Sequence, residues 1–258
     1  MKNIKIAFFD IDGTLIDMKR KVISEKTIKA LKGLQENGIK ICIATGRTPV
    51  SLPKFPEVVF DAYMTFNGSY CFSGEADIFS NPIPAEDVKK IIENAAAIGR
   101  PVSIATKDRV AANGQDRDLL DYYEFAKQPL VIAPDFEELS GQDIYQIMLG
   151  CYQEEYAVVM KDVAGARITA WWDRAVDVIP KDGGKGIGVE KILEYFRLDK
   201  SQAIAFGDGN NDIEFLQTVG VGVAMGNASE ELKAMADEVC GHVAEDGIYE
   251  YCRSHGLI

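Results

Sequence analysis

The sequence is short of residues that carry several common chemistries. It has two histidines, His242 and His255, both late in the chain and with no Ser or Cys motif near them. A histidine-based hydrolase pairs that base with a nucleophile, so both read as structural or surface residues. The five cysteines (Cys42, Cys71, Cys151, Cys240, Cys252) are odd in number, scattered, and form no CxxC pair. That excludes a disulfide framework or zinc scaffold and fits reduced thiols, mostly core filler, in a cytoplasmic protein. No apolar run approaches the roughly 18 residues of a membrane span. The apolar stretch ending at Phe9 is too short for a signal peptide and runs straight into acidic residues. Positive charge is scarce as well: 28 Lys and Arg against 40 Asp and Glu, a net charge of −12. A nonspecific nucleic-acid binder needs a basic face to neutralise phosphates, so neither nucleic acid nor membrane is expected as a partner. No obligate protein partner is implied. A phosphorylated small molecule remains compatible, provided a cation or local Lys and Arg offset the repulsion. There is no internal repeat and no low-complexity segment.

What is present is the composition of a globular protein, 47% apolar and 26% charged, with 23 Gly and 9 Pro. At about 150 residues per domain, 258 residues make one to two domains. Short apolar runs alternate with helical patterns, which predicts an α/β fold around a parallel sheet. Strands are expected at Lys5–Phe9, Lys40–Ala44, Ala62–Phe66, Ala203–Phe206 and Val219–Met225. Helices are expected after Ser24, closed by Asn37-Gly38, and over Gly188–Phe196, Asp212–Gln217 and Ser229–Ala236. Asn67-Gly68 marks a hairpin turn. Pro and Gly clusters at Asn81–Pro84 and Ile179–Gly184 bracket about 100 residues, which read as an inserted α+β domain. Its expected elements include a helix over Pro84–Ile98, a helix over Glu154–Val163 and a strand over Arg167–Trp172. The expected boundaries are 1–81 and 183–258 for the larger domain and 82–182 for the insert.

Four segments carry chemistry. Phe9-Asp10-Ile11-Asp12-Gly13-Thr14-Leu15 follows the first strand, and ligands of open parallel sheets bind at the carboxyl ends of strands. Two carboxylates so close resist joint ionisation unless a cation or shared proton relieves them. An EF-hand is rejected, because Lys21 stands where its twelfth-position Glu belongs. Thr45-Gly46-Arg47 follows the second strand, where a hydroxyl and a glycine amide can hold a phosphate oxygen. Lys185 lies in Gly183-Gly184-Lys185-Gly186, which is no Walker loop since Gly186 replaces its Ser/Thr. Gly207-Asp208-Gly209-Asn210-Asn211-Asp212 follows a later strand, and Asp208 could complete an oxygen-ligand site with Asp10 of the kind Mg²⁺ prefers. Gly220-x-Gly222-x-x-x-Gly226 is one residue off a dinucleotide fingerprint and runs through a strand instead of preceding a helix.

In this order, the four segments resemble the haloacid dehalogenase superfamily of phosphohydrolases. The likeness is to the Cof-type branch, subfamily IIB, and covers essentially the whole chain, insertion point included. The resemblance implies a Rossmann-like α/β core with an inserted α+β cap. It implies a Mg²⁺-dependent phosphatase acting on small phosphate monoesters, sugar phosphates first among them. Asp10 would be the nucleophile and Asp12 the general acid and base. Mg²⁺ would be held by Asp10, the Asp12 carbonyl and Asp208. The Ile11 and Gly46 amides, Thr45, Lys185 and Asn211 would grip the phosphoryl group, with Asp212 supporting Lys185 or a metal-bound water. Arg47 reads either as a phosphate contact or as an exposed structural arginine. The insert holds Trp171-Trp172-Asp173 where the family often has Trp-His-Pro, so Trp172 and Asp173 are candidate substrate contacts that depart from its pattern. A phosphosugar mutase and a catalytically silent phosphometabolite-binding module are the alternatives.

Overall fold

The computed structural model describes residues 3–55, 57–74, 76–125, 128–170 and 172–258. The chain forms two compact units, one of Met1–Arg47, Pro53–Ser80 and Gly184–Ile258, the other of Thr48–Leu52 and Asn81–Gly183. In chain order the first unit begins with β1 (Ile6–Phe9), α1 (Glu25–Glu36), β2 (Lys40–Ala44), β3 (Ala62–Thr65), β4 (Tyr70–Ser73) and β5 (Ala76–Ser80). The second unit then holds α2 (Ala85–Ala97), β6 (Val102–Ala105), β7 (Val110–Ala112), α3 (Arg117–Phe125), α4 (Phe136–Ser140), β8 (Gln146–Gly150), α5 (Tyr156–Val159), β9 (Ala166–Ala170) and β10 (Ala175–Pro180). The chain returns to the first with α6 (Lys185–Phe196), β11 (Ala203–Gly207), α7 (Ile213–Thr218), β12 (Val221–Ala224), α8 (Glu230–Met235), β13 (Glu238–Val239) and α9 (Gly247–Ser254).

The first unit is built on a sheet of order β13-β12-β11-β1-β2-β3-β4-β5. From β13 to β3 every pairing is parallel, and only the β3–β4–β5 hairpins are antiparallel. A parallel strand covered on both faces reads as an unbroken apolar run, and β1 (IAFF) is wholly buried. One face packs Phe8, Cys42, Ala62 and Ala205 against Val189 and Ile192 of α6, Phe215 of α7 and Leu232 of α8. On β1 and β11, the alternate residues Phe9 and Phe206 stack at 5.2 Å, and Phe206 meets Tyr251 of α9 edge-on. Ser24 caps α1 through the Thr27 amide, as its sequence predicts. The helix predicted from Gly188 instead starts at Lys185, with Gly184 as its N-cap at φ +137°.

The second unit is an antiparallel sheet, β7-β6-β8-β10-β9. One face packs Val102, Ile104, Ile147, Leu149, Val176 and Val178 against α2, α4 and α5. On the other, Tyr123 of α3 shares a buried hydrogen bond with Ser103 of β6, 2.6 Å long. Two expectations fail here. The helix predicted over Glu154–Val163 is shorter: a 3-10 turn, Gln153–Glu155, runs into α5, which stops at Val159 before the chain turns at Asp162, φ +58°. The strand predicted to Trp172 ends at Ala170, and Trp172 and Asp173 lie in the bend before β10. Trp171 lies outside the described residues. Among the described residues no helix is long and apolar enough to cross a membrane.

Candidate active site

Strand order fixes where the acidic segments meet. β1 pairs with β2 on one side and β11 on the other, with Phe9 level with both Ile43 and Phe206. The chain leaves these three strands at one edge, at the switch in strand order where open α/β sheets hold ligands. Asp10, Thr45 and Asp208 therefore emerge side by side.

Lys185 is the centre of the site. Its side chain is fully buried, and its Nζ donates to Asp10 Oδ1 and Asp212 Oδ1, each at 2.6 Å. Burial works against the ammonium, yet the two carboxylates outweigh it and raise its pKa. Asp212 also accepts from the amides of Asp208 and Gly209 through Oδ2, both at 3.0 Å. Both Asp212 oxygens are thus committed to holding the loop and the lysine. Asp208 accepts from the Thr14 hydroxyl at 3.0 Å, and the Asn227 amide reaches it at 3.4 Å. Asn227 also donates to the Gly13 carbonyl at 2.8 Å. Gly13 has φ +92°, and a Cβ there would lie 2.0 Å from Asp208 Oδ2, so only glycine lets the first loop close on Asp208.

One lysine does not balance this set. Burial first, then the neighbouring acids, push the Asp208 carboxyl up to about 7. Burial likewise raises Asp10 well above the ordinary range, Lys185 pulling it back and Asp212 and Asp208 adding to it. Carboxylate oxygens of Asp10, Asp208 and Asp212 lie within 4.8 Å of one another. An all-oxygen, electron-rich donor set that ionises reluctantly without another positive charge fits a hard divalent cation such as Mg²⁺.

Asp12 stands apart from this cluster. Arg47 grips it with both ends of the guanidinium, Nε to Oδ2 at 2.7 Å and the second nitrogen to Oδ1 at 2.8 Å. The pair is the first cause of the raised Arg47 pKa. Arg47 is thus neither a lone exposed arginine nor free of the acids, which its sequence context left open. Thr45 is buried, and its Oγ1 accepts from the Arg47 amide at 3.2 Å. Ile11 is buried, and its carbonyl accepts from the amides of Leu15 and Ile16. Asn211 donates to Asn67 Oδ1 at 3.2 Å. The structure thus brings Asp10, Asp208, Asp212 and Lys185 together and ties Asp12 to Arg47. Trp172 and Asp173 belong to the second unit, where Trp172 lies under Arg174 at 4.3 Å and Asp173 is exposed. Sequence reading missed Asn67 and Asn227. Asn67 beside Gly68 reads only as a turn, and nothing local to Asn227 points to its distant bond.

Residues 7–251 match the haloacid dehalogenase-like hydrolase family. The Bacillus subtilis protein YkrA is 33% identical over 261 residues, covering 98% of each chain. The 5-amino-6-(5-phospho-D-ribitylamino)uracil phosphatase YitU of B. subtilis is 26% identical over 260 residues, covering 95% of each. Among solved structures, the subclass IIB sugar phosphatase BT4131 superposes with a TM-score of 0.88 at 33% identity, covering 98% of this chain and 100% of that one. BT1666 from Bacteroides thetaiotaomicron, one of the phosphatases of the superfamily, gives 0.91 at 31%, covering 99% and 96%. Whole-chain likeness to this family and its buried Asp–Lys–Asp centre agree: the chain belongs to the haloacid dehalogenase-like hydrolases, as a phosphatase of the Cof-type branch.

Proposed function

We propose that this phosphatase hydrolyses phosphate monoesters of small metabolites, sugar phosphates among them, with Mg²⁺ as cofactor. The observation that carries the reading is the buried Lys185 shared between Asp10 and Asp212 beside an Asp208 that is costly to ionise. An Asp10 carboxylate oxygen attacks phosphorus, the ester P–O bond breaks, and Asp12 delivers a proton to the departing oxygen. Water then attacks the aspartyl phosphate, Asp12 takes a proton from it, and inorganic phosphate leaves with Asp10 restored. Arg47 aims the Asp12 carboxylate through its two-pronged grip. Thr45, the amides of Ile11 and Gly46, Lys185 and Asn211 hold the phosphoryl oxygens. Mg²⁺, when held by Asp10, Asp208 and the Asp12 carbonyl, would supply the charge that lets an anionic nucleophile meet an anionic ester.

The first unit serves as the catalytic core and the second as a cap that selects the leaving group, with Trp172 and Asp173 as its candidate substrate contacts. The likeness to a sugar phosphatase over nearly the whole chain supports the substrate class. The reading places the enzyme in the cytoplasm, acting on phosphometabolites and not on nucleic acid or membrane. A panel of phosphometabolites with Mg²⁺, read as kcat/KM for wild type and Asp10→Asn, is the test. Sugar phosphates should lead the ranking, and Trp172→Ala should reorder it. Equal rates on all esters in both cap forms would refute the substrate class and the selecting cap.

A further inference from the structure

We propose that Asn67 is a positioning residue for phosphate binding, and that the turn Phe66–Gly68 sets the mutual placement of three site segments. The inference rests on the assignment of Thr45, Gly46, Lys185 and Asn211 to the phosphoryl group. Three consecutive residues here have left-handed backbone: Phe66 at φ +52°, Asn67 at +52° and Gly68 at +94°. Asparagine and glycine tolerate that region, but a buried phenylalanine there is costly. A two-residue hairpin would join β3 to β4 without straining Phe66. The contacts made by the turn account for the cost.

Together the three residues of the turn engage three parts of the site. The Phe66 amide donates to the Arg47 carbonyl and the Asn67 amide to the Thr45 carbonyl, both at 3.0 Å. These bonds hold the segment Thr45–Arg47 at both ends. Asn67 Oδ1 accepts from Asn211, 144 residues away in sequence, at 3.2 Å. Gly68 lies against the start of α6: a Cβ on it would be 2.2 Å from the Gly184 carbonyl and 3.1 Å from the Lys185 amide. The Asn67 carboxamide, 4% exposed as a residue, covers Gly46, where an added Cβ would sit 3.0 Å from Oδ1 and 3.1 Å from Nδ2. Gly46 has no positive φ. Its lack of a side chain is therefore explained by the Asn67 amide resting on it. One turn thus fixes the Thr45–Gly46 peptide, the Asn211 side chain and the origin of the Lys185 helix relative to one another.

Asn67→Gly separates this role from backbone strain, because glycine adopts the same φ freely and removes only the carboxamide. With 4-nitrophenyl phosphate as substrate and inorganic phosphate as inhibitor, both with Mg²⁺, the variant should lose about 10–100-fold in kcat/KM. Its Ki for inorganic phosphate should rise about 10-fold, with Tm within a few degrees of wild type. Gly46→Ala crowds the same carboxamide without touching residue 67 and should raise Ki similarly. In the double variant the two losses should combine less than additively, because the added methyl fills the space left by Asn67. A folded Asn67→Gly with wild-type Ki and kcat/KM overturns the positioning role. If that variant does not fold, an unchanged Ki in Gly46→Ala does so. Failure of inorganic phosphate to inhibit the wild type would instead remove the site assignment itself, and with it this inference.

Discussion

Two charge clusters in this protein have the same ledger, one cation facing three carboxylates, and opposite characters. In the second unit Arg100 binds Glu155 through two nitrogens at 3.0 and 2.9 Å, and reaches Asp116 at 3.1 Å and Asp118 at 2.7 Å. Its acids also accept from the Leu119 and Tyr152 amides, both at 2.8 Å. In the first unit Lys185 faces Asp10, Asp212 and Asp208 with three rotatable protons instead of a planar fork. The Arg100 side chain keeps 16% exposure, while that of Lys185 has none. At Glu155 burial is outweighed by the Arg100 bonds and the Tyr152 amide, so it ionises more readily than usual, whereas at Asp10 and Asp208 burial prevails and raises both. Charge count alone does not distinguish a structural knot from a reactive centre. Solvation and the number of donors do, and acids held above their ordinary pKa mark the site with chemistry to perform.

The largest expected effect comes from Asp10→Asn, which removes the nucleophile and should cost at least about 10³-fold in kcat. It also removes one of the repelling acids, so Tm should stay level or rise, checked by calorimetry beside the rates. A variant with a tenth of wild-type turnover would make Asp10 a structural acid like Asp116. Chelation comes next. Activity should disappear with chelator and return with Mg²⁺. At Mg²⁺ a hundredfold above its Kd, linkage gives about 2.7 kcal/mol and a Tm rise of roughly 5–10 °C. Asp208→Ala should abolish that shift and Arg100→Met should keep it. An equal shift in both variants would erase the distinction between the clusters.

Breaking the other cluster should be felt in stability. Arg100→Met leaves Asp116, Asp118 and Glu155 without their shared partner and should cost about 2–3 kcal/mol, less than the roughly 3–5 kcal/mol of a fully buried pair because water reaches this one. Arg100→Lys should recover only part, since an ammonium cannot bridge Glu155 with two parallel bonds. Urea unfolding measures both. Chemistry in the folded fraction should be unchanged, which a denaturant-free kcat for 4-nitrophenyl phosphate checks.

The main site residues could be read from sequence because Asp10, Thr45 and Asp208 each follow an apolar run, and parallel register sets such strand ends side by side. Lys185 was visible only as a lysine among glycines. That it opens α6 depends on Gly184 at φ +137°, a conformation the letters do not show. Asn67 was hidden because Asn-Gly after a strand has the same signature whether it merely turns the chain or reaches Asn211. Asn227, within Met225–Ala228, carries no local pattern for its bond to the Gly13 carbonyl, 214 residues away. The Arg47–Asp12 pair likewise joins residues 35 apart. The strand predicted through Trp172 is described only to Ala170, and Trp172 and Asp173 lie in a bend. Local pattern reveals where strands end, and long-range side-chain bonds decide what is held there.

The smallest effect concerns acid. Burial alone would raise Glu155, but the Arg100 bonds and the Tyr152 amide outweigh it and lower its pKa below the ordinary 4.5. A depressed carboxyl stabilises the fold fully above its unfolded pKa, and that contribution fades as pH falls through the folded value. The window therefore opens near pH 4.5 and extends downward, with a slope no steeper than about 1.4 kcal/mol per pH unit for one proton. Other acids titrate there too, including Asp135 beside Arg109, so the informative quantity is a difference. Wild type minus Arg100→Met, measured as urea midpoints from pH 6 to 3, should be flat above pH 5 and shrink below 4.5. Once Glu155 is protonated, Arg100 has less to hold. A difference that stays constant to pH 3 would mean that Arg100 stabilises by packing on the Tyr152 ring, 5.5 Å from its guanidinium carbon, and not by charge.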